Sequence, residues 1–272
     1  SGLLPFSYQL EGRLQSEIAL TGTAINPVIN GKADVDRFRL DTMQLRRIHV
    51  GFRYDSDTLY HEGYVDAGVS RMIQTRARLP LDFSLSDSLV LPGSQTPLQA
   101  SLKVDSLDVG MVNPLLTEQG MTASGLLDVN LEVSHTLGSP VFDGKMQLSK
   151  GRFQYPEQGI DYRDIHINST FNRQRIHLQQ ARFSSGKGFL NFQGYADRSI
   201  LNQSDSGMIR LEIEGKAFEA IHSRQAEAVV EPSILIEGSL REPALQGRLR
   251  VPQAVIYVDA FRQHQKRRSE DL

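Results

Sequence analysis

Side chains that could perform catalysis or hold a metal are few in this sequence, and they lack the spacings that such chemistry needs. Seven histidines are scattered along the chain, and no His-Glu-x-x-His pattern joins any of them into a metal site. His49 and His166 lie in matching stretches of alternating pattern, which predicts solvated side chains on a polar strand face rather than ligands. Cysteine is absent, which excludes disulfides, thiolate zinc sites and cysteine nucleophiles.

One glycine-rich motif resembles a phosphate-binding loop but lacks essential parts. In Ser-Ser-Gly-Lys-Gly at 184–188, Ala181 takes the place of the first glycine, Gly188 takes that of the closing Ser or Thr, and no helix pattern follows. This stretch therefore predicts a turn. No Gly-x-Ser-x-Gly elbow is present, and no glycosidase pair can be picked out among the acidic residues. We predict that the chain is not an enzyme and has no cofactor or metal.

Length and charge exclude further classes of protein. A chain of 272 residues forms one large domain or two ordinary ones. Lys and Arg number 30 against 32 Asp and Glu, so the basic surplus that nucleic-acid binding requires is absent. No apolar run approaches the roughly 20 residues that span a bilayer. We expect a soluble piece of a longer protein, with a flexible tail at 259–272 that includes the basic stretch 262–268.

Apolar and polar residues alternate along most of the chain, which is typical of strands with one apolar and one polar face. The pattern predicts about 18 to 20 strands of roughly seven to ten residues each. So large a sheet has to curl, fold over or close, as in a barrel, a sandwich or a solenoid. Helical pattern is scarce: 106–116 could hold a short helix, whereas 217–230 fits a helix or a strand and turn equally well.

We assign the apolar faces of the later strands to a candidate ligand-binding surface. Its members alternate with polar residues along the chain, so each set points to one side of its strand. They are Leu127, Val129, Leu131, Val133, Phe142, Met146, Leu148, Ile165, Ile167, Phe171, Ile209, Leu211, Ile213, Ile234 and Ile236. Stacked strands would join these side chains into an apolar track. On the pattern alone, a β-sandwich in which two such faces cover each other is favoured over an open track.

Three short blocks reveal an internal repeat. The stretches 27–31, 140–144 and 243–247 each read proline, small aliphatic, large apolar, polar, glycine. Proline removes a hydrogen-bond donor and restricts φ, so it belongs at the first residue of a strand or in a turn. A glycine four residues later allows a bulge that bends the sheet. The spacing predicts repeats at about 18–115, 120–230 and 231–258, the last truncated, within one elongated β domain.

The segment from Gly125 to Gly151 contains an alternating strand, the block Gly138-Ser139-Pro140-Val141-Phe142-Asp143-Gly144, a second alternating strand and a glycine turn. In this succession of features it resembles the TamB C-terminal domain family. The segment 234–249 repeats this pattern, and Phe-Leu-Asn-Phe-Gln-Gly at 189–194 is similar to the recurrent strand end of the family. One residue rather than three separates Gly138 from Pro140, which departs from the family pattern. The resemblance is best from about 120 to 258, and it does not separate TamB from AsmA-like and bridge-like lipid transfer relatives.

The resemblance implies an all-β fold: an elongated, curled, U-shaped sheet, called a β-taco, with an apolar interior built from repeats. It implies a periplasmic location, with anchoring to the inner membrane through a segment absent from this chain. The implied partners are phospholipid acyl chains, an outer-membrane Omp85-type barrel similar to TamA, and incoming strands of outer-membrane proteins. The implied function is phospholipid transport between the two membranes, or the assembly and secretion of outer-membrane proteins such as autotransporters.

Two other classes of protein stay open at this point. A structural or adhesive repeat protein would fill its own core, as in a β-sandwich whose apolar faces cover each other, and would carry no lipid. A carbohydrate-active β-solenoid enzyme would cluster carboxylates on one face, and the sequence shows no such cluster.

Overall fold

In a computed structural model of the chain, the described residues are 10–41, 43–67, 71–82, 91–197, 207–239 and 241–257. Alternating residues form strands over most of this length because every second side chain can pack on one face of a sheet. The strands, β1 to β13 in chain order, are Leu10–Gly22, Pro27–Leu40, Met43–Asp55, Thr58–Asp66, Arg71–Pro80, Gln99–Asp108, Thr122–Thr136, Ser139–Tyr155, Ile160–Phe171, Arg175–Asp197, Met208–His222, Ala226–Ser239 and Pro243–Ile256.

The hydrogen-bonded order of these strands follows the chain, from β1 to β13, in one sheet. Successive pairs run antiparallel from β1 to β6 and again from β10 to β13. The all-β, single-sheet fold predicted from the sequence is confirmed. The predicted strand number and length are wrong for the described ranges, which hold 13 strands of 9 to 23 residues. Many glycines expected to end strands lie inside them instead.

The chain divides into two compact units, each of which collects several parts of the chain. The first unit comprises Ser1–Pro114, Leu127–Met146 and Thr170–Arg173, and the second comprises Leu115–Leu126, Gln147–Ser169 and Gln174–Leu272. The first unit therefore contains β1 to β6, and the second contains β10 to β13. The repeat boundaries expected from the sequence remain a prediction. The expected flexible tail at 259–272 lies outside the described residues.

The three repeated blocks each begin a strand. Pro27 and Pro243 are the first residues of β2 and β13, and Pro140 is the second residue of β8. Gly144 and Gly247 have φ values of 150° and 145°, where a side chain is strained. A Cβ at Gly144 would lie 2.0 Å from the Asn130 carbonyl oxygen. The backbone of β8 therefore approaches β7 so closely at this position that a residue with a side chain would clash. The predicted role of proline is confirmed, and these glycines are positions of close backbone approach.

Strand β10 folds back on itself within the second unit. The Nε atom of Arg175, at its first residue, lies 3.0 Å from Oδ1 of Asp197, at its last. An extended strand would separate these residues by about 70 Å. Gly186, midway between them, has φ of 58°, which permits the reversal. The predicted turn at 184–188 is thus confirmed, and β10 consists of two arms joined at Gly186.

Counting the arms of β10 separately gives the strand order a regular period. Strand β8 is the sixth strand after β2, and β13 is then the sixth strand after β8. The three blocks that begin these strands therefore recur every six strands. A sequence period of about one hundred residues thus corresponds to a structural period of six strands.

The fold-back leaves a seam where β9 and β11 meet directly. The amide N–H of His222 in β11 donates to the carbonyl of Gly159, just before β9, at 2.8 Å. The Tyr162 hydroxyl donates to the carbonyl of Ala220 at 3.2 Å. Beneath this seam the Tyr162 ring packs on Phe218, which is 1% exposed. Because the arms of β10 end at Gly186, their neighbours close over the turn and bury Phe218.

Helical structure is limited to short segments among the described residues. The stretch 106–116, expected to hold a short helix, contains a 3₁₀ turn at Val109–Val112 and a single α turn at Asn113–Leu116. Further 3₁₀ turns lie beyond it at Thr117–Gln119 and Pro156–Gln158. Asp108 caps the first turn by accepting a hydrogen bond from the Gly110 amide at 2.8 Å. The other ambiguous stretch, 217–230, forms the end of β11, a turn and the start of β12.

Candidate functional site on the apolar face

Strands β10 to β13 of the second unit carry a continuous apolar surface. Across these strands Phe192 pairs with Ile213, which pairs with Ile234. In the adjacent row Leu211 pairs with Ile236, which pairs with Leu245 of β13. Paired residues of an antiparallel sheet lie on the same face, so these side chains form one surface. Five predicted site residues, Ile209, Leu211, Ile213, Ile234 and Ile236, share it.

The opposite face of the same strands is held by hydrogen bonds and ion pairs. Arg210 donates from Nη1 to Glu237 Oε2 at 2.8 Å and from Nη2 to Glu212 Oε1 at 2.9 Å. Gln193 donates to Glu212 Oε2 at 2.7 Å, which, followed by the Arg210 contact, lowers the pKa of the Glu212 carboxyl below its usual value. The guanidinium of Arg210 has a raised pKa, mainly because of its hydrogen bond to Glu212. The two faces thus differ sharply in polarity, as the alternation predicts.

The first unit carries an apolar row of its own, across six strands. Strand pairing places apolar residues of β1 to β6 side by side at the same level of the sheet. Neighbouring strands lie about 4.8 Å apart, so the row is about 24 Å long. Its members, from β1 to β6, are Leu14, Val35, Ile48, Val65, Ile73 and Val104. None of these six residues was among the predicted site residues.

The first-unit row was missed because its sequence signal is weaker. Strands β3 and β4 carry charged or polar residues on both faces, as in Arg46-Arg47 and Tyr60-His61-Glu62. These residues interrupt the simple alternation that marks the later strands. The repeat offered the signal that could have found the row, because Ile48 occupies the same place in its repeat as Ile165.

The predicted site residues lie in strands and are only partly covered. Four of them, Leu127, Val129, Leu131 and Val133, lie on one side of β7 and are half-buried. Ile165 is buried at 6% exposure, where it lies against Gly151 of β8. The remaining members are half-buried: Phe142, Met146, Leu148, Ile167, Phe171, Ile209, Leu211, Ile213, Ile234 and Ile236. Some of these predicted site residues lie in the first unit and the others lie in the second.

Full burial of apolar side chains is rare among the described residues. The buried apolar residues of these ranges are seven: Leu45, Tyr54, Val104, Val141, Ile165, Ala181 and Phe218. Large apolar side chains on the two outer strands are open to solvent, with Ile18 at 70% and Leu245 at 69% exposed. A sheet whose apolar face was covered by a second layer would bury many more residues.

A cavity of about 960 Å³ lies in the first unit and is lined chiefly by the polar face. Its walls include polar residues that alternate with the apolar row, among them Asn30, Arg53, Tyr60, Arg78 and Gln99. Three carboxylates, Glu17, Glu62 and Glu132, also line it. Of the predicted site residues, Val133 alone contributes to its lining. The cavity and the predicted apolar site are therefore different features.

His49 differs from its predicted state. Its Nδ1 atom lies 2.9 Å from Asp34 Oδ1, its ring stacks on Tyr64 with centroids 4.9 Å apart, and its side chain is 15% exposed. The prediction of a solvated side chain is wrong for His49 because the neighbouring strands supply an acidic and an aromatic partner. His166, at the corresponding place in β9, is exposed as predicted.

The described residues contain no group of three or more His, Asp or Glu that could hold a metal ion. Within the same ranges, no helix has the length and apolar character needed to cross a membrane.

Part of the chain is similar to a known protein family. Residues 177–271 match the model of the TamB C-terminal domain family. This match confirms the resemblance predicted from the sequence, and its described part extends from the first arm of β10 through β13. The segment from Gly125 to Gly151, on which the resemblance was first based, precedes the matched range. No solved structure gives a significant match to the chain.

Proposed function

We propose that this chain is a non-enzymatic segment of a periplasmic bridge whose apolar sheet face holds phospholipid acyl chains. The match to the TamB C-terminal domain supports a role in outer-membrane biogenesis, which covers both lipid transport and outer-membrane protein assembly. The proposed protein is anchored to the inner membrane through another segment and works with an Omp85-type barrel similar to TamA. Its location in the periplasm is part of the same proposal.

The observation that carries the proposal is the partly covered apolar face. In the second unit, Leu211 and Ile213 of β11 lie beside Ile236 and Ile234 of β12, and all four are half-buried. Soluble proteins seldom leave such a surface open without a binding partner. An acyl chain lying along a row would cover several side chains, and each CH₂ group buried would contribute about 0.8 kcal/mol. Such binding tolerates sequence variation, which fits the absence of a sharp motif.

Two adjacent residues of β12 allow a matched test of acyl-chain binding. Ile236 pairs with Leu211 on the apolar face, whereas Leu235 pairs with Glu212 on the polar face, and both are half-buried. We expect Ile236→Asn to lower the amount of copurified phospholipid several-fold by mass spectrometry. Leu235→Asn changes the same kind of side chain and is expected to leave it unchanged. Equal lipid content in all three proteins, or none in the wild type, would contradict the proposal.

Strand β13 supports a second mechanism, in which the sheet edge templates an incoming strand of an outer-membrane protein. Among the strands of the described ranges it pairs with β12 alone, and Leu245 and Leu249 are 69% and 57% exposed. An exposed edge presents unpaired backbone groups that can add a strand. The two mechanisms use different parts of the molecule and are compatible.

The absence of cysteine makes the edge mechanism testable by site-specific crosslinking. Arg248→Cys, in β13, is expected to crosslink to a cysteine-bearing client protein during its assembly. Arg152→Cys is the control because Arg152 is also exposed but lies in β8, which has a neighbour on each side. Crosslinking of equal yield at both positions would show that the edge has no special role.

A further inference from the structure

We propose that the cavity on the polar face of β1 to β6 is a binding site for an anionic oxygen group, with Arg76 and Arg78 as its main ligands. The cavity measures about 960 Å³, and both arginines line it. It lies in the first unit on the face opposite the apolar row. Of the residues assigned to the acyl-chain surface, Val133 alone also lines this cavity.

Strand register places a row without acidic residues along one side of the cavity. Asn30 pairs with Arg53, Arg53 with Tyr60, Tyr60 with Arg78, and Arg78 with Gln99. All five residues line the cavity. The row therefore carries two arginines whose strands lie about 10 Å apart, flanked by amides and a phenol that donate hydrogen bonds. Of the two, Arg53 is paired with Asp55, so Arg78 is the one considered as a ligand.

Arg78 forms no ion pair with any carboxylate of the described ranges, and its guanidinium lies 5.9 Å from the centre of the Tyr60 ring. Many other strand arginines differ in this respect; Arg47, Arg152 and Arg175 each contact an aspartate within 3.0 Å. An arginine lining a cavity without a carboxylate partner keeps its hydrogen-bond donors available for a ligand.

Arg76 also lacks an ion pair within the described part of the chain, although it pairs in the sheet with Glu62. The Glu62 side chain, which also lines the cavity, lies over Gly51 of β3 on the side away from Arg76. A Cβ at Gly51 would lie 3.3 Å from Glu62 Cγ. The glycine makes room for this orientation, which leaves the Arg76 guanidinium free on the cavity side.

Guanidinium groups recognise phosphate and carboxylate through paired, nearly parallel N–H···O hydrogen bonds. The same anionic group could come from a free phosphate, a phosphate monoester or a lipid headgroup. Two neighbouring arginines on one strand face favour a group with several oxygens over an isolated halide ion. The shared chemistry is a multi-oxygen anion.

The test is calorimetric titration of the 272-residue chain with inorganic phosphate at low ionic strength, together with sedimentation on phosphatidylglycerol and phosphatidylcholine vesicles. We expect Arg76→Gln combined with Arg78→Gln to weaken phosphate binding about 10-fold or more. Arg248→Gln removes the same charge from an exposed strand position in the second unit and is expected to change affinity less than about 2-fold. Circular dichroism checks that each variant keeps its strand content.

Each outcome of this test decides something. Binding of phosphate that depends on Arg76 and Arg78 supports a site for a soluble anion. Arginine-dependent binding of phosphatidylglycerol vesicles without binding of free phosphate supports the site with a lipid headgroup as the source. Absence of both, or an equal loss with Arg248→Gln, overturns the inference. The acyl-chain surface is tested separately by Ile236→Asn and Leu235→Asn in the second unit, so failure here leaves the proposed function untouched.

Discussion

Arg175 and Asp197 form an ion pair, with 3.0 Å between Nε and Oδ1, although 22 residues separate them within β10. The Arg175 guanidinium also lies 4.2 Å from the centre of the Tyr195 ring. These contacts close the open end of the β10 fold-back, whose other end is the turn at Gly186. The fold-back makes both intervals between repeated blocks six strands long, and it creates the seam that buries Phe218.

Gly186→Ala is expected to destabilise the protein by about 1–3 kcal/mol. Its φ of 58° disfavours a side chain, and a Cβ there would lie 2.9 Å from Glu219 Cβ. Urea unfolding followed by circular dichroism measures the change. Gly93→Ala is the control, because a Cβ at Gly93 meets nothing within 4 Å. Equal stability of the two variants would show that β10 does not need the reversal at Gly186.

Phe218→Ala is expected to lower the free energy of unfolding by about 3–5 kcal/mol, since it removes a ring that is 1% exposed. Phe52→Ala provides the comparison, because Phe52 is 38% exposed and its loss is expected to cost about 1–2 kcal/mol. Chemical denaturation with matched protocols measures both. Similar losses of unfolding free energy in the two variants would mean that the buried Phe218 ring stabilises the fold no more than the partly exposed Phe52 ring does.

Acidification is expected to lower the stability of the fold, because it protonates carboxyl groups that form hydrogen bonds and ion pairs. Hydrogen bonds from neighbouring groups lower the pKa of four carboxyl groups: Glu17 beside Lys32, Asp55 beside Arg53, Asp161 beside Arg152 and Glu212 beside Gln193. A carboxyl group with a lowered folded-state pKa stabilises the fold above its unfolded pKa. That contribution is lost as the pH falls through the folded-state value. The thermal midpoint of unfolding should therefore hold steady near neutral pH. It should decrease when the pH of the solution is lowered below the ordinary carboxyl pKa of about 4.

A single substitution checks this assignment. Asp161→Asn removes one titrating group that Arg152 stabilises at 2.9 Å, so the variant is expected to lose less stability between neutral and acidic pH than the wild type. Because the pair is exposed, the difference is small and should shrink in high salt. An acid dependence that is unchanged in the variant would assign the effect to other groups.

Val129→Asp is expected to impair the barrier function of the outer membrane, measured as sensitivity to a bulky antibiotic, while the strand signal in circular dichroism persists. The substitution places a charge on the apolar face of β7, where Val129 is half-buried. Asn130→Asp introduces the same side chain at the next, exposed residue and is expected to be silent. Loss of barrier function in both variants, or in neither, would disconnect the apolar face from the phenotype.

The sequence predicts the fold class, the polarity of the two faces and the proline-led strands because alternation and proline are local signals. The pairs Leu211–Ile236 and Ile213–Ile234 follow from that alternation once the strands are set side by side. The turn of β10 at 184–188 is predicted from its glycines, whereas the ion pair between Arg175 and Asp197 that closes the fold-back is a long-range contact that no local signal specifies. Long-range contacts also decide the environment of His49, which the local pattern assigned to solvent. The polar cavity depends on the register of six strands, which no single segment specifies.

The most direct test of the acyl-chain surface is photo-crosslinking in cells. A benzophenone amino acid would replace either Leu211, on the apolar face, or Glu212, the next residue, on the polar face of β11. The proposal predicts phospholipid adducts at position 211 and none above background at position 212, detected by mass spectrometry of the purified protein. Adducts of equal yield at both positions, or none at position 211, would contradict the claim that the apolar face holds lipid.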